Sequence, residues 1–228
     1  MIEILDIGNS FTRIALWDGI QIRSFRRVAT ADFSGTAGDL PAVAACVCPD
    51  VKKRLAGENI EFISAVNHRS AVDFSAVNTA TLGADRVANA IALAELYDLP
   101  GVVIDCGTAV TMEVVDADKR FCGGAIAPGR KLMRQALHCG TGQLPEVPLY
   151  EKVPELPGCN TPDAISFGID RGIIGMVREF VESAARMFPL KSVVLTGGDA
   201  GFLAFEFPDA IIADEFFTLT GIRIGGGY

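Results

Sequence analysis

Apolar residues along the chain fall into short continuous runs and into longer stretches at helical spacing. Residues 2–5 (Ile-Glu-Ile-Leu), 13–17, 102–104 (Val-Val-Ile), 110–115 and 191–195 are short, rich in Val, Ile and Leu, and bounded by Gly or Asp. That pattern predicts strands. The Ala-rich stretch Val87–Ala94 predicts a buried helix. A second helix is expected over Arg130–Leu137, after a turn marked by Pro128-Gly129. A third runs from Ala164 to Met187, with Ile165, Ile169, Ile173, Val177, Phe180 and Val181 near helical spacing. Thr161 is its expected N-cap, with Pro162 at the first helical position.

The two halves of the chain echo one another. Strand 2–5 leads into Asp6-Ile7-Gly8-Asn9-Ser10 and a second apolar run, and strand 102–104 leads into Asp105-Cys106-Gly107-Thr108-Ala109 and another. Each half reads strand, D-x-G-[N/T], strand. A glycine at a hairpin tip lets backbone N–H groups approach an anion with no Cβ in the way. Ser10, Thr12, Thr108 and Thr111 add hydroxyls, and Asp at the strand end is a charge that a hydrated cation bridges to phosphate oxygens. A single D-x-G would be an ordinary hairpin turn. Two, each near the start of its half, point to a polyphosphate clamped from both sides. A third glycine turn, Thr196-Gly197-Gly198, follows strand 191–195 and suits the close approach of an adenine or ribose. Neither a Walker A loop nor a G-x-G-x-x-G fingerprint is present.

Composition narrows the field. The 228 residues make one large domain or two small ones, and with half of them hydrophobic and 21% charged the chain is not disordered. A net charge of −8 excludes the broad positive field that nucleic acid requires. The run Pro100–Asp105 is too short to span a bilayer, and acids inside the first apolar stretch do not fit a signal peptide. Six cysteines, without a C-x-x-C pair, and two histidines fit neither a zinc site nor a disulfide framework. The expectation is buried thiols in a reducing cytosol.

The order of these motifs resembles the actin, hexokinase and Hsp70 ATPase superfamily. Further segments narrow the resemblance to the type III pantothenate kinases: Gly83-Ala84-Asp85-Arg86, Gly123-Gly124-Ala125-Ile126-Ala127-Pro128-Gly129 and Asn160-Thr161. The resemblance covers both ends of the chain and is thin from about residue 20 to residue 80. It implies an α/β fold of two duplicated ribonuclease H-like domains, residues 1–100 and 101–228, with a nucleotide cleft between them. It implies ATP-dependent phosphorylation of pantothenate, the first step of coenzyme A synthesis, by a cytoplasmic homodimer. Carried over by position, Asp6, Ile7, Gly8, Asn9, Ser10, Phe11, Thr12 and Arg13 form the first ATP phosphate loop, and Thr108 contacts ATP. Gly83, Ala84, Asp85 and Arg86 bind pantothenate, with Asp85 the general base. Asp105 is the ligand of a monovalent cation, K⁺ or NH₄⁺, Mg²⁺ accompanies ATP, and Thr161 helps to hold pantothenate.

The residues carry part of this independently. Asp85 and Arg86 would stand at a helix N-terminus, where the dipole favours an acid and not an arginine. Capping alone accounts for Asp85. Arg86 needs another reason, and its guanidinium suits a carboxylate or a transferring phosphoryl group. Lys131 and Arg134 read as the solvated face of an amphipathic helix, and capping competes with substrate contact for Thr161. The chain departs from the family pattern at Ser10 (Thr is usual), at Asn78-Thr79-Ala80-Thr81 (Asn-Pro is common) and at Ala45-Cys46-Val47-Cys48-Pro49 (Ser-Ser-Val-x-Pro is common). Two other readings stay open: a nucleotide-binding regulatory relative, and a kinase of another small hydroxy acid.

Overall fold

The computed structural model describes residues 1–36, 38, 40–153 and 158–228. Strands β1 (Ile2–Ile7), β2 (Phe11–Trp17), β3 (Ile22–Ala29), β4 (Ala42–Cys46) and β5 (Ile60–Phe62) form one sheet in the order β3-β2-β1-β4-β5. Strands β6 (Gly101–Cys106), β7 (Ala109–Val115), β8 (Phe121–Pro128), β9 (Ser192–Thr196) and β10 (Ile211–Ile212) form another, ordered β10-β9-β6-β7-β8. Read from the opposite edge, the second order repeats the first. In each sheet the leading strand pairs antiparallel with the next and parallel with the fourth. The sequence echo is therefore an echo of architecture, and the fold is the expected α/β duplication.

Helices α1 (Pro49–Arg54), α2 (Ala84–Leu96), α3 (Arg130–Gly140), α4 (Thr161–Met187), α5 (Ala200–Leu203) and α6 (Phe217–Gly225) cover the sheets. The central strands are apolar runs because both of their faces are buried. Along β1, Ile2 and Ile4 face a core built with α2 and α6, whereas Leu5 and Ile7 share a cluster with Val51 of α1 and Leu55 at its C-cap. Along β6, Val103 joins the first core and Val102 and Ile104 pack with Ile173, Ile174 and Val177 of α4. The first core also takes Val43 of β4 and Val194 of β9, so it joins the two sheets through α2 and α6. Helix α6, late in the chain, lies against β1 and β4 of the first sheet. Its Gly221 meets α2 so closely that a Cβ there would collide with the Ala88 carbonyl oxygen.

Several expectations are corrected. Asn160, not Thr161, caps α4: its Oδ1 accepts from the Asp163 N–H at 3.0 Å, and Thr161 is the first helical residue. Gly83 occupies the N-cap of α2, which puts Asp85 inside the first turn. Arg134 is 2% exposed and not solvated, unlike Lys131. Both of its contacts to Asp170 of α4 measure 3.0 Å, and Arg130 joins the same carboxylate at 2.9 Å. The thiols are not uniformly buried: Cys106 is, but Cys139 and Cys159 are exposed. Pro128 closes β8 and Gly129 caps α3.

Candidate active site

The two glycine hairpins meet. Gly8 N–H donates to Phe11 O at 3.1 Å and Gly107 N–H to Ala109 O at 3.0 Å, each closing a tight turn at the end of its leading strand. Across the gap, Ser10 Oγ lies 3.1 Å from Thr108 Oγ1. Asn9, Ser10, Phe11 and Thr108 are exposed, whereas Ile7 and Thr12 are buried. The Thr12 hydroxyl lies 3.1 Å from that of Thr30, which donates to Gly8 O at 2.7 Å and braces the first turn from beneath. Two more turns close on the second hairpin. Gly129 N–H donates to Thr108 O at 2.9 Å, and Asp199 N–H to Cys106 O at 2.9 Å. Gly197 takes φ +88°, and a Cβ there would collide with Asp105 Oδ1 and the Cys106 backbone. The Thr196-Gly197-Gly198 turn is thus built onto the second D-x-G-T.

Three carboxylates stand in one another's field behind the hairpin tips. Asp6 accepts from Arg13 Nε at 2.7 Å. Burial pulls the Arg13 pKa down, but Asp6 and Asp105 together hold it above its ordinary value. Asp105 is pushed up to about 6, first by desolvation and then by Asp6 and Asp85, against the pull of Arg13 and an Asn89 amide. That amide donates to Asp105 Oδ2 at 3.2 Å, and its Oδ1 accepts from Thr218 of α6 at 2.9 Å. Asp85 is half-buried. Burial raises its pKa, and the charge of Asp6 adds to that, while the Arg86 N–H bonded to Oδ1 at 2.8 Å opposes both. Gly83 leaves room for this carboxylate, since a Cβ there would reach 2.5 Å from Asp85 Oδ1.

Around Arg86 the chain builds a small cavity of about 160 Å³, lined also by Val77, Asn78, Leu82, Phe121 and Gly124 among others. Arg86 is the charged group in it. Its Nε donates to Glu113 Oε1 at 2.8 Å, its Nη2 donates to Met112 O at 3.1 Å, and its guanidinium lies over the Phe121 ring. Burial pushes Glu113 up to about 8, against the pull of Arg86. Gly124 opens the passage, since a Cβ there would collide with Met112 O and approach Arg86 Nη2 to 2.8 Å. Asn78 caps the short turn Thr79–Thr81, its Oδ1 accepting from Ala80 N–H at 3.1 Å.

Two facing glycine hairpins, with acids and an arginine behind their tips and an acid at a helix start, are parts that a phosphoryl-transfer site uses. The family model described as type III pantothenate kinase matches residues 3–183. The chain belongs to the type III pantothenate kinase family. A curated type III pantothenate kinase of Gloeobacter violaceus is 34% identical over 96% of this chain and 96% of its own length. Another, of Methylacidiphilum infernorum, is 32% identical over 98% of this chain and 87% of its own. Among solved structures, one titled a conserved putative Baf family transcriptional activator from Campylobacter jejuni superposes with TM-score 0.69 at 23% identity, covering 97% of this chain and 95% of its own. A ROK hexokinase from Thermus thermophilus does so with TM-score 0.51 at 13% identity, covering 98% and 97%. These last two share the fold.

Within this family layout the structure brings Asp6, Asp85, Arg13 and Asp105 into one electrostatic cluster and joins Ser10 to Thr108. Thr161 stands elsewhere. It lines a separate cavity of about 600 Å³ between α3 and the start of α4, with Leu137, Leu144, Ile165 and Ile169. Sequence reasoning missed Thr30, Asn89 and Glu113. Asn89 alone had a local signal: it follows Asp85 by four residues, so both lie on one helix face. Also unforeseen was the buried network in which Arg130 joins Asp170 to Asp199 (3.0 Å), just past the third glycine turn.

Proposed function

We propose that the chain transfers the γ-phosphoryl group of ATP to the primary hydroxyl of pantothenate, giving 4′-phosphopantothenate at the start of coenzyme A synthesis. The observation that carries this is the closed pair of hairpins, Ser10 on Thr108, beside the Asp85–Arg86 pair at the head of α2. In this reading Asp6 to Arg13 and Thr108 receive the phosphates of ATP. For Ile7 and Thr12, whose side chains are buried, the backbone is the available contact. Gly83, Ala84, Asp85 and Arg86 receive pantothenate. Asp85 takes the proton of the primary hydroxyl as its oxygen attacks the γ-phosphorus. The new O–P bond forms as the bond to the β-phosphate oxygen breaks, and ADP leaves. A carboxylate raised by burial suits that task better than an ordinary aspartate. Arg86, cationic and half-buried, suits either the substrate carboxylate or the charge of the moving phosphoryl group.

The charge balance supports a monovalent cation at Asp105. The cluster holds Asp6, Asp85 and Asp105 against the guanidiniums of Arg13 and Arg86, an excess of one acid even with Glu113 left out of the count. Potassium or ammonium held by the Asp105 carboxylate would offset part of that excess and of the phosphate charge. Mg²⁺ keeps most of its water and is carried chiefly by phosphate oxygens. We place the protein in the cytoplasm as a homodimer, its halves 1–100 and 101–228 acting as the two lobes around ATP. In this reading Thr161 helps to hold pantothenate from the cavity between α3 and the start of α4, apart from Asp85.

The test is phosphorylation of pantothenate by the purified protein with ATP and Mg²⁺, in K⁺ and in Na⁺ alone. Product that depends on K⁺ is the expected result. Product equal in both salts would remove the cation from Asp105. No product in either would overturn the substrate, and a panel of other hydroxy acids would follow.

A further inference from the structure

The geometry points to Glu113 as the positioning residue that fixes Arg86 at the mouth of the acceptor pocket, an inference that rests on the functional reading above. Glu113 lies in the middle of β7, where side chains alternate between faces, and is fully buried. Its Oε1 accepts from Arg86 Nε at 2.8 Å, and the Thr111 hydroxyl, two residues back on the same face of β7, also supports the carboxyl. Burying a carboxyl group and a guanidinium together seldom gains stability over apolar side chains of like size. Stability is therefore a poor reason for this residue; geometry is a better one.

The same strand supplies a second hold. Met112 O, one residue back along β7, accepts from Arg86 Nη2 at 3.1 Å, and Gly124 on β8 leaves the space for that approach. The guanidinium is thus gripped from behind by two consecutive residues of a central strand and rests over Phe121. Two of its N–H groups are taken there, and the rest are left for the cavity that Arg86 lines. A free arginine at this place would sample many rotamers, and ordering it on binding would weaken affinity about two- to tenfold. Glu113 removes that cost beforehand.

Steady-state kinetics on the full chain test the inference. Glu113→Ala is expected to raise KM for pantothenate about five- to tenfold and to leave KM for ATP within about twofold. Glu113→Gln keeps an acceptor oxygen at the same reach and should stay within about twofold of wild type. Glu113→Leu, which fills the volume without an acceptor, should match the alanine variant and stands in if that variant does not fold. In an Arg86→Ala background, adding Glu113→Ala should change KM by less than about twofold. Equal losses for ATP and pantothenate, or additive effects with Arg86→Ala, would overturn the role. If wild type does not phosphorylate pantothenate, the functional reading fails and the hydrogen exchange of the Arg86 Nε–H, followed by NMR, decides the brace. Slow exchange in wild type that becomes fast in Glu113→Ala supports it; fast exchange in wild type refutes it.

Discussion

Asp85 shows how one residue answers to two demands. In the first turn of α2 the helix dipole and the Arg86 N–H favour its charge, and burial beside Asp6 opposes it. Burial wins, so the pKa rises. A folded-state value above the unfolded one means that this group favours the fold below the unfolded pKa and loses that advantage as pH rises through the folded value. Asp85→Asn should therefore lower turnover by about 10²–10⁴-fold while melting no lower than wild type at pH 7. Melting curves across pH should show the variant's advantage vanish in acid below the ordinary aspartate range. Turnover within threefold of wild type would dismiss Asp85 as the base. That Asp85 and Arg86 belong together was legible because they are adjacent and an arginine is out of place at a helix start. The partner of Arg86 was not legible: Glu113 is 27 residues away on another element, and only tertiary structure joins them.

At the scale of elements, glycine patterns and apolar runs foretold the two hairpins, since both are local. The fate of α3 was not local. Its basic residues look alike in sequence, yet Arg134 is paired with Asp170 from α4 and Lys131 is exposed. Removing one partner from a buried ion pair costs about 3–5 kcal/mol, and about 2–4 °C accompanies each kcal/mol in a chain of this size. Arg134→Ala should lower the melting temperature by roughly 8 °C or more, and Lys131→Ala by less than about 2 °C. Equal shifts in a thermal melt would return Arg134 to the solvent-facing set. The third glycine turn gives a sharper contrast between neighbours. Gly197 has φ +88° and no room for a Cβ, whereas nothing lies within 4 Å of one at Gly198. Gly197→Ala should melt several degrees lower and bind ATP at least about tenfold more weakly, because its Cβ presses on Asp105. Gly198→Ala should keep the wild-type melting temperature, and matching losses in the two variants would mean that the turn yields freely.

For the whole molecule the decisive feature is the core that ignores the division into halves. The echoed motifs suggest two units, and the strand orders repeat, but Ile4, Val43, Val103 and Val194 share one cluster with α2 and α6. Helix α6 comes from the end of the chain and lies on the first sheet, which no local pattern in its sequence could announce. The two sheets are thereby coupled through packed helices in place of a loose linker, which fixes the separation of the two facing hairpins. Such coupling predicts one cooperative unfolding transition, with both sheets lost together. The contact to perturb is Gly221 of α6 against the Ala88 carbonyl of α2, where a Cβ has no room. Gly221→Val forces those helices apart, and overpacking of that kind costs about 1–3 kcal/mol or more. The expected calorimetric trace is still a single peak, displaced downward by roughly 5–10 °C, with turnover reduced because the hairpins no longer meet at the right separation. Two resolved peaks, one at the wild-type temperature, would show instead that the second sheet and α4 stand alone, and that the shared core only joins two independent units.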